Sequence, residues 1–167
     1  MAVKGGTHFI GIGGSGMSGL AKIMLELGQP VSGSDLEPSR TTKKLEALGA
    51  KIYYGHREEN VSPDLKIVVR STAISPTNTE ILEAKRLGIP VIHRGDFLAQ
   101  LCSKQKAVAI AGAHGKTTTT SMLAHIFLQA KLDPTIYIGG ELEEINGNAK
   151  YGQGEYLLAE ADESDGS

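Results

Sequence analysis

Short apolar runs alternate with stretches of helical periodicity along this chain. Residues 7–12 read as a strand. The next segment sets Met17, Leu20, Ala21, Met24 and Leu27 on one face at 3.6-residue spacing, which predicts a helix stopped by Gly28. Further strands are expected at 30–33, 51–54, 67–70 and 90–92, with helices at 41–48, from the Thr77 region to Gly88, and at about 95–101. Thr77-Asn78-Thr79-Glu80 has the pattern of a capping box, in which hydroxyl and carboxylate each serve an orphan N–H. Leu27-Gly28-Gln29-Pro30-Val31 and Leu87-Gly88-Ile89-Pro90-Val91 share one layout, a glycine helix stop followed by a proline that opens a strand. Strands alternating with helices imply a parallel sheet with right-handed crossovers.

A polar break at residues 103–106 separates this run from a second one. Strand 107–111, a glycine loop, helix 117–130, strand 135–138, a turn at 151–154 and a buried strand at 156–159 follow. The expected fold class is α/β: a Rossmann-like parallel-sheet domain over residues 1–103, then the start of a P-loop-type α/β ATP-binding domain over 104–167. The second run is short against the roughly 100 residues of a doubly wound nucleotide domain, so it is expected to be incomplete.

Composition narrows the function classes. Of 167 residues, 40% are apolar and 22% charged, with a net charge of −2, which suits a globular fold and argues against a nucleic-acid partner. No apolar run approaches the roughly 20 residues of a membrane helix, and no signal pattern opens the chain. The single cysteine, Cys102, leaves no internal disulfide and fits a reducing compartment, so a cytoplasmic location is expected.

Two glycine loops carry the chemistry. Gly11, Gly13 and Gly16 fit G-x-G-x-x-G between a strand and a helix, and Asp35 ends the second predicted strand. This is the dinucleotide fingerprint, yet its physics is broader. The loop accepts a diphosphate and the acid accepts hydroxyl or ring N–H donors, so a UDP-sugar satisfies it as well as NAD. The second loop, Gly112-Ala113-His114-Gly115-Lys116-Thr117, supplies backbone N–H groups at a helix start, a lysine for the outer phosphates and a hydroxyl for magnesium. It departs from the usual spacing, because Ile110 stands where the first glycine belongs. Four threonines, 117–120, are poor helix formers, and ligand contact explains them better than stability. The acids Glu160, Asp162, Glu163 and Asp165 follow the last strand, where a carboxylate can hold the magnesium that bridges ATP phosphates.

The order of these motifs, from Gly11-Ile12-Gly13-Gly14-Ser15-Gly16-Met17-Ser18 through Ser32-Gly33-Ser34-Asp35 and Ala113-His114-Gly115-Lys116-Thr117-Thr118-Thr119 to Glu160-Ala161-Asp162-Glu163-Ser164-Asp165, resembles the Mur ligases of peptidoglycan synthesis over nearly the whole chain. Within them, the Gly-Gly and Gly-Met-Ser features and Ser164 favour the branch that uses L-alanine over the one that adds a recycled tripeptide. The resemblance implies a UDP-sugar domain, an ATP domain and a third domain. It implies ATP, Mg2+, UDP-N-acetylmuramate and L-alanine as reactants, joined through an acyl phosphate. Lys116 would neutralise the transferring phosphoryl group, with Gly112, Ala113, His114, Gly115, Thr117 and Thr118 around ATP, and Thr117 and Glu160 on magnesium. Gly13, Gly14, Ser15, Gly16, Met17 and Ser18 would cradle the UDP diphosphate. Asp35 and His56 would meet the uridine, and Ser71, Thr72 and Arg94 would line the sugar side. Thr72 is a departure, since the family commonly has two serines there. The chain by itself is expected to bind UDP-sugar and not to ligate. An NAD-dependent dehydrogenase is the rival reading, and it leaves Lys116 and the acids unexplained.

Overall fold

A computed structural model describes residues 5–161 and shows two compact units, Met1–Arg94 and Gly95–Ser167. The division falls ahead of the polar break at residues 103–106. That break follows a helix that sorts with the second unit, whereas the boundary expected from the sequence lies after residue 103. Among the described residues, no helix is long and apolar enough to cross a membrane.

The first unit is built on β1 (Thr7–Ile10), β2 (Val31–Asp35), β3 (Lys51–Tyr54), β4 (Ile67–Arg70) and β5 (Val91–His93). They form one parallel sheet in the order β3-β2-β1-β4-β5. All four residues of the central strand β1 are buried, as a parallel strand covered on both faces requires. Helix α1 (Ser15–Glu26) buries Met17, Leu20, Ala21 and Ile23. Helix α2 (Arg40–Ala47) starts in a reciprocal cap, with Ser39 Oγ accepting from Thr42 N and Thr42 Oγ1 from Ser39 N. Helix α3 (Thr79–Arg86) contributes Ile81 and Ala84 to a core with Ile10, Val61, Leu65, Val68 and Ile89. The chain runs outward through β2 and β3 on one side of β1, then resumes at β4 on the other. That reversal places a ligand crevice beyond the carboxyl ends of β1 and β4.

The capping box expected at Thr77 does not form. Asn78 is the cap, accepting from Glu80 N at 2.9 Å, and the Thr77 hydroxyl pairs with Ser75. Glu80 instead turns into the interior, where Ser34 on β2 and Asn60 in the turn before β4 donate to it.

The second unit opens with α4 (Arg94–Cys102), whose first residue closes the first unit. Then come β6 (Lys106–Ile110), α5 (Lys116–Gln129), β7 (Thr135–Leu142), β8 (Gly147–Lys150) and β9 (Tyr156–Glu160). The sheet order is β6-β9-β7-β8, with β6, β9 and β7 parallel and β8 antiparallel to β7. The sequence shows no apolar run at β8. The strand forms because Asn146 takes a left-handed turn (φ 49°) and lays Gly147–Lys150 back along β7. Ala124, Ile136, Ile138, Ile145 and Leu158 form the core. Each large aliphatic side chain buried there contributes about 1.5–3 kcal/mol. Strand β6 lies at one edge of the four, and Ala107 and Ala109 on it are exposed.

Candidate functional site

At the carboxyl edge of the first sheet, the loop from β1 to α1 is pinned to β2: Gly11 N and Ile12 N both donate to Ser34 O, at 2.8 and 3.0 Å. Gly14 caps α1 in extended conformation. No side chain caps this end and no acid stands in the first turn, so the positive end of the helix dipole is left to attract an anion. Ser15 and Gly14 are exposed, Gly13 and Gly16 half-buried. Met17 and Ser18 are buried. Ser18 N donates to Gly14 O and its hydroxyl to Ser15 O, so Ser18 shapes the loop rather than facing a ligand. Asp35 holds the loop from the β2 side, accepting from Gly13 N at 2.7 Å and from Leu36 N at 2.8 Å. Ser71 and Thr72 follow β4, and Arg94 follows β5. The topology therefore gathers Gly13, Gly14, Asp35, His56, Ser71 and Arg94 at one edge of one parallel sheet.

His56 is part of a network that the sequence does not announce. Its Nδ1 lies 3.1 Å from Ser34 Oγ, and Ser34 donates to Glu80 Oε2 at 2.6 Å. Glu80 is fully buried. It also accepts from Asn60 Nδ2 at 2.5 Å and pairs with His8 Nε2 at 3.4 Å, while His8 Nδ1 meets Ser32 Oγ at 2.9 Å. Burial alone pushes the Glu80 carboxyl up. The hydrogen bonds from His8, Ser34 and Asn60 outweigh it and hold the group below the ordinary carboxylate range. One signal could have exposed it: Glu80 adjoins Ile81 and Ala84 on the buried stripe of α3.

In the second unit, register pairs Ile110 with Glu160, and Ala161 N donates to Ile110 O at 3.0 Å. This sets the last residue of β9 beside the root of the phosphate loop. Ile110 is itself the end of β6, which explains the missing glycine: here the strand continues where a longer loop would begin. Gly115 caps α5 at φ 77°, a left-handed conformation that side chains resist. Lys116 Nζ donates to Gly112 O at 2.7 Å, which holds the ammonium over the loop. Ala113, His114 and Thr118 are exposed. Thr120 departs from the expectation of ligand contact. It is fully buried and bonds back to Lys116 O at 2.8 Å.

Thr117 Oγ1 donates to Glu160 Oε2 at 3.3 Å. Glu160 Oε1 is buried and has no hydrogen-bond partner among the described residues. A buried carboxylate oxygen without a donor beside a hydroxyl suits a hard cation. The residues present fit a magnesium ion, which Glu160 and Thr117 would hold. Strand β7 clears the space: a Cβ on Gly139 would stand 2.8 Å from Glu160 Oε2, and one on Gly140 3.0 Å from Thr117 Cγ2. Sequence reading missed both glycines, although a glycine pair inside a strand signals a close approach. Asp162, Glu163 and Asp165 lie outside the described residues.

Comparison with known proteins places this geometry in context. A family model, Mur ligase family, catalytic domain, matches residues 6–106. The UDP-N-acetylmuramate–L-alanine ligase of Pelotomaculum thermopropionicum is 62% identical over 167 residues, covering 100% of this chain and 36% of that protein. The enzyme of the same name from Aquifex aeolicus is 58% identical over 160 residues, covering 96% of this chain and 35% of that protein. The chain thus spans about a third of the length of these relatives. Among solved structures, the UDP-N-acetylmuramate–alanine ligase of Thermotoga maritima superposes with a TM-score of 0.85 at 32% identity, over 92% of this chain and 36% of that one. The UDP-N-acetylmuramate:L-alanyl-γ-D-glutamyl-meso-diaminopimelate ligase of Neisseria meningitides gives 0.86 at 32%, over 96% and 53%. The two solved structures stand at the same 32% identity and nearly the same TM-score, and the two curated relatives carry the alanine-ligase name.

Proposed function

Because this chain belongs to the Mur ligase family, we propose that its first unit binds UDP-N-acetylmuramate and its second unit the phosphates of ATP, in an enzyme that joins L-alanine to the muramate carboxylate. The specific amine is inferred from the identity to relatives of that name. The observation that carries the phosphoryl-transfer half is the orphaned Glu160 Oε1 beside Thr117.

The reaction this assigns has two steps. The muramate carboxylate oxygen attacks the γ-phosphorus, the bond to the β–γ bridging oxygen breaks, and ADP leaves. The alanine amine then attacks the acyl carbon, loses a proton, and inorganic phosphate departs. Magnesium, when bound, supplies positive charge to the phosphate oxygens. Lys116 adds a second positive charge as negative charge redistributes over the transferring group. The amides at the Gly115 end of α5 hold the phosphates in line with the helix dipole. In the first unit, the end of α1 takes the diphosphate, and Asp35 keeps Gly13 in place for that contact. Ser71, Thr72 and Arg94 offer hydroxyl and guanidinium donors to the sugar and its carboxylate. The reaction is expected to run in the cytoplasm, where these nucleotides are made.

Calorimetry of this chain with UDP-N-acetylmuramate, NADH and Mg-ATP in turn tests the assignment. Saturable binding of the UDP-sugar with none for NADH is expected. Binding of NADH in preference to the UDP-sugar would return the first unit to the dehydrogenase reading.

A further inference from the structure

His56, Ser34 and Glu80 form a chain of hydrogen bonds whose direction is fixed by proton count. An ionised carboxylate only accepts, and a serine hydroxyl has one proton. Glu80 takes that proton from Ser34 at 2.6 Å. The lone pairs of Ser34 Oγ then face His56 Nδ1 at 3.1 Å, so Nδ1 must carry a hydrogen. Among the described residues, the ring's contacts are all at Nδ1, with Glu80 Oε2 the second at 3.7 Å. A neutral ring protonated at Nδ1 has an acceptor at Nε2.

Resting on the UDP-sugar reading above, we propose that Glu80 is a positioning residue. Acting through Ser34, it locks His56 in the Nδ1–H form and so presents an acceptor to a pyrimidine that carries an N3–H donor. Uracil has that donor, and cytosine has an acceptor in its place. Glu80 is suited to this because it cannot drift. Asn60 and the Arg57 N–H hold Oε1, while Ser34 and His8 hold Oε2. Its depressed pKa keeps it an acceptor at neutral pH. Replacing it by an amide that donates to Ser34 would reverse the chain: Ser34 would donate to Nδ1, and the ring proton would move to Nε2.

The test is nitrogen-15 NMR of the His56 ring at pH 8, above the ordinary imidazole range, with calorimetry of UDP and CDP. Wild type is expected to show the Nδ1–H form and to prefer UDP. Glu80→Gln is expected to show Nε2–H and to narrow the UDP-to-CDP ratio by about tenfold. A wild-type ring protonated at Nε2, or an unchanged ring in Glu80→Gln, overturns the proposal. A switched ring with an unchanged ratio overturns its contact with the base. If Glu80→Gln does not fold, Ser34→Ala leaves the carboxylate in place and is expected to raise the Nε2–H population; no change overturns the relay. Failure of wild type to bind either nucleotide counts against the UDP-sugar reading. The ring spectra still decide whether Glu80 sets the tautomer.

Discussion

Glu80 and Glu160 are both buried acids, and they differ in what surrounds them. Glu80 has donors on both oxygens, so removing it strands His8, Ser34 and Asn60 in the interior. Glu80→Ala is expected to destabilise the first unit by about 3 kcal/mol, read as a fall in urea midpoint. The same network makes the unit acid-sensitive. Its pKa is lowered from the ordinary 4.5, so its stabilisation is present above that value and is lost as pH falls below it. Urea midpoints measured downward from pH 5 are expected to decline, and Glu80→Gln to flatten the decline. Glu160 lacks a donor on Oε1, so its substitution is expected to weaken Mg-ATP rather than fold. Gly139→Ala acts on the same carboxylate by crowding. Lys116→Ala is expected to lower Mg-ATP affinity at least tenfold by calorimetry, with the circular dichroism spectrum unchanged.

At the scale of elements, the strands and helices that carry an apolar stripe were legible: β3 and β4 fall where the pattern puts them, and both glycine loops sit between strand and helix. The loops could be read because glycine, lysine and threonine at fixed spacing have few other uses. Other features were not legible. Strand β8 has no apolar run and exists through its pairing with β7. Glu80 looked like a cap because cap and core acids share one local spacing, and only the fold reveals which donors come near. Ser34 was quoted as part of a motif, but its role depends on His56 and α3 arriving from elsewhere in the chain. The true capping box, Ser39 with Thr42, escaped because threonine takes the place usually held by glutamate or glutamine. Ser39→Ala is expected to cost about 1 kcal/mol in urea denaturation.

Across the whole molecule, apolar surface is unevenly covered. Helix α5 turns Leu123, Phe127 and Leu128 to its core but leaves Met122 63% and Ile126 58% exposed. Adjacent exposed apolar side chains on one helix favour self-association. Met122→Lys combined with Ile126→Lys is expected to lower the apparent mass of this chain in light scattering at high concentration, with little change in thermal midpoint.

The place of β6 at one edge of its sheet bears on nucleotide capture. Among the described residues, the phosphate loop hangs from a strand with a neighbour on one side, so opening that strand is expected to disturb the loop with it. Local opening and ligand release are then thermodynamically linked. Mg-ATP should slow amide hydrogen exchange along residues 106–110 more than in the interior strands β7 and β9, as though the ligand were the strand's missing neighbour.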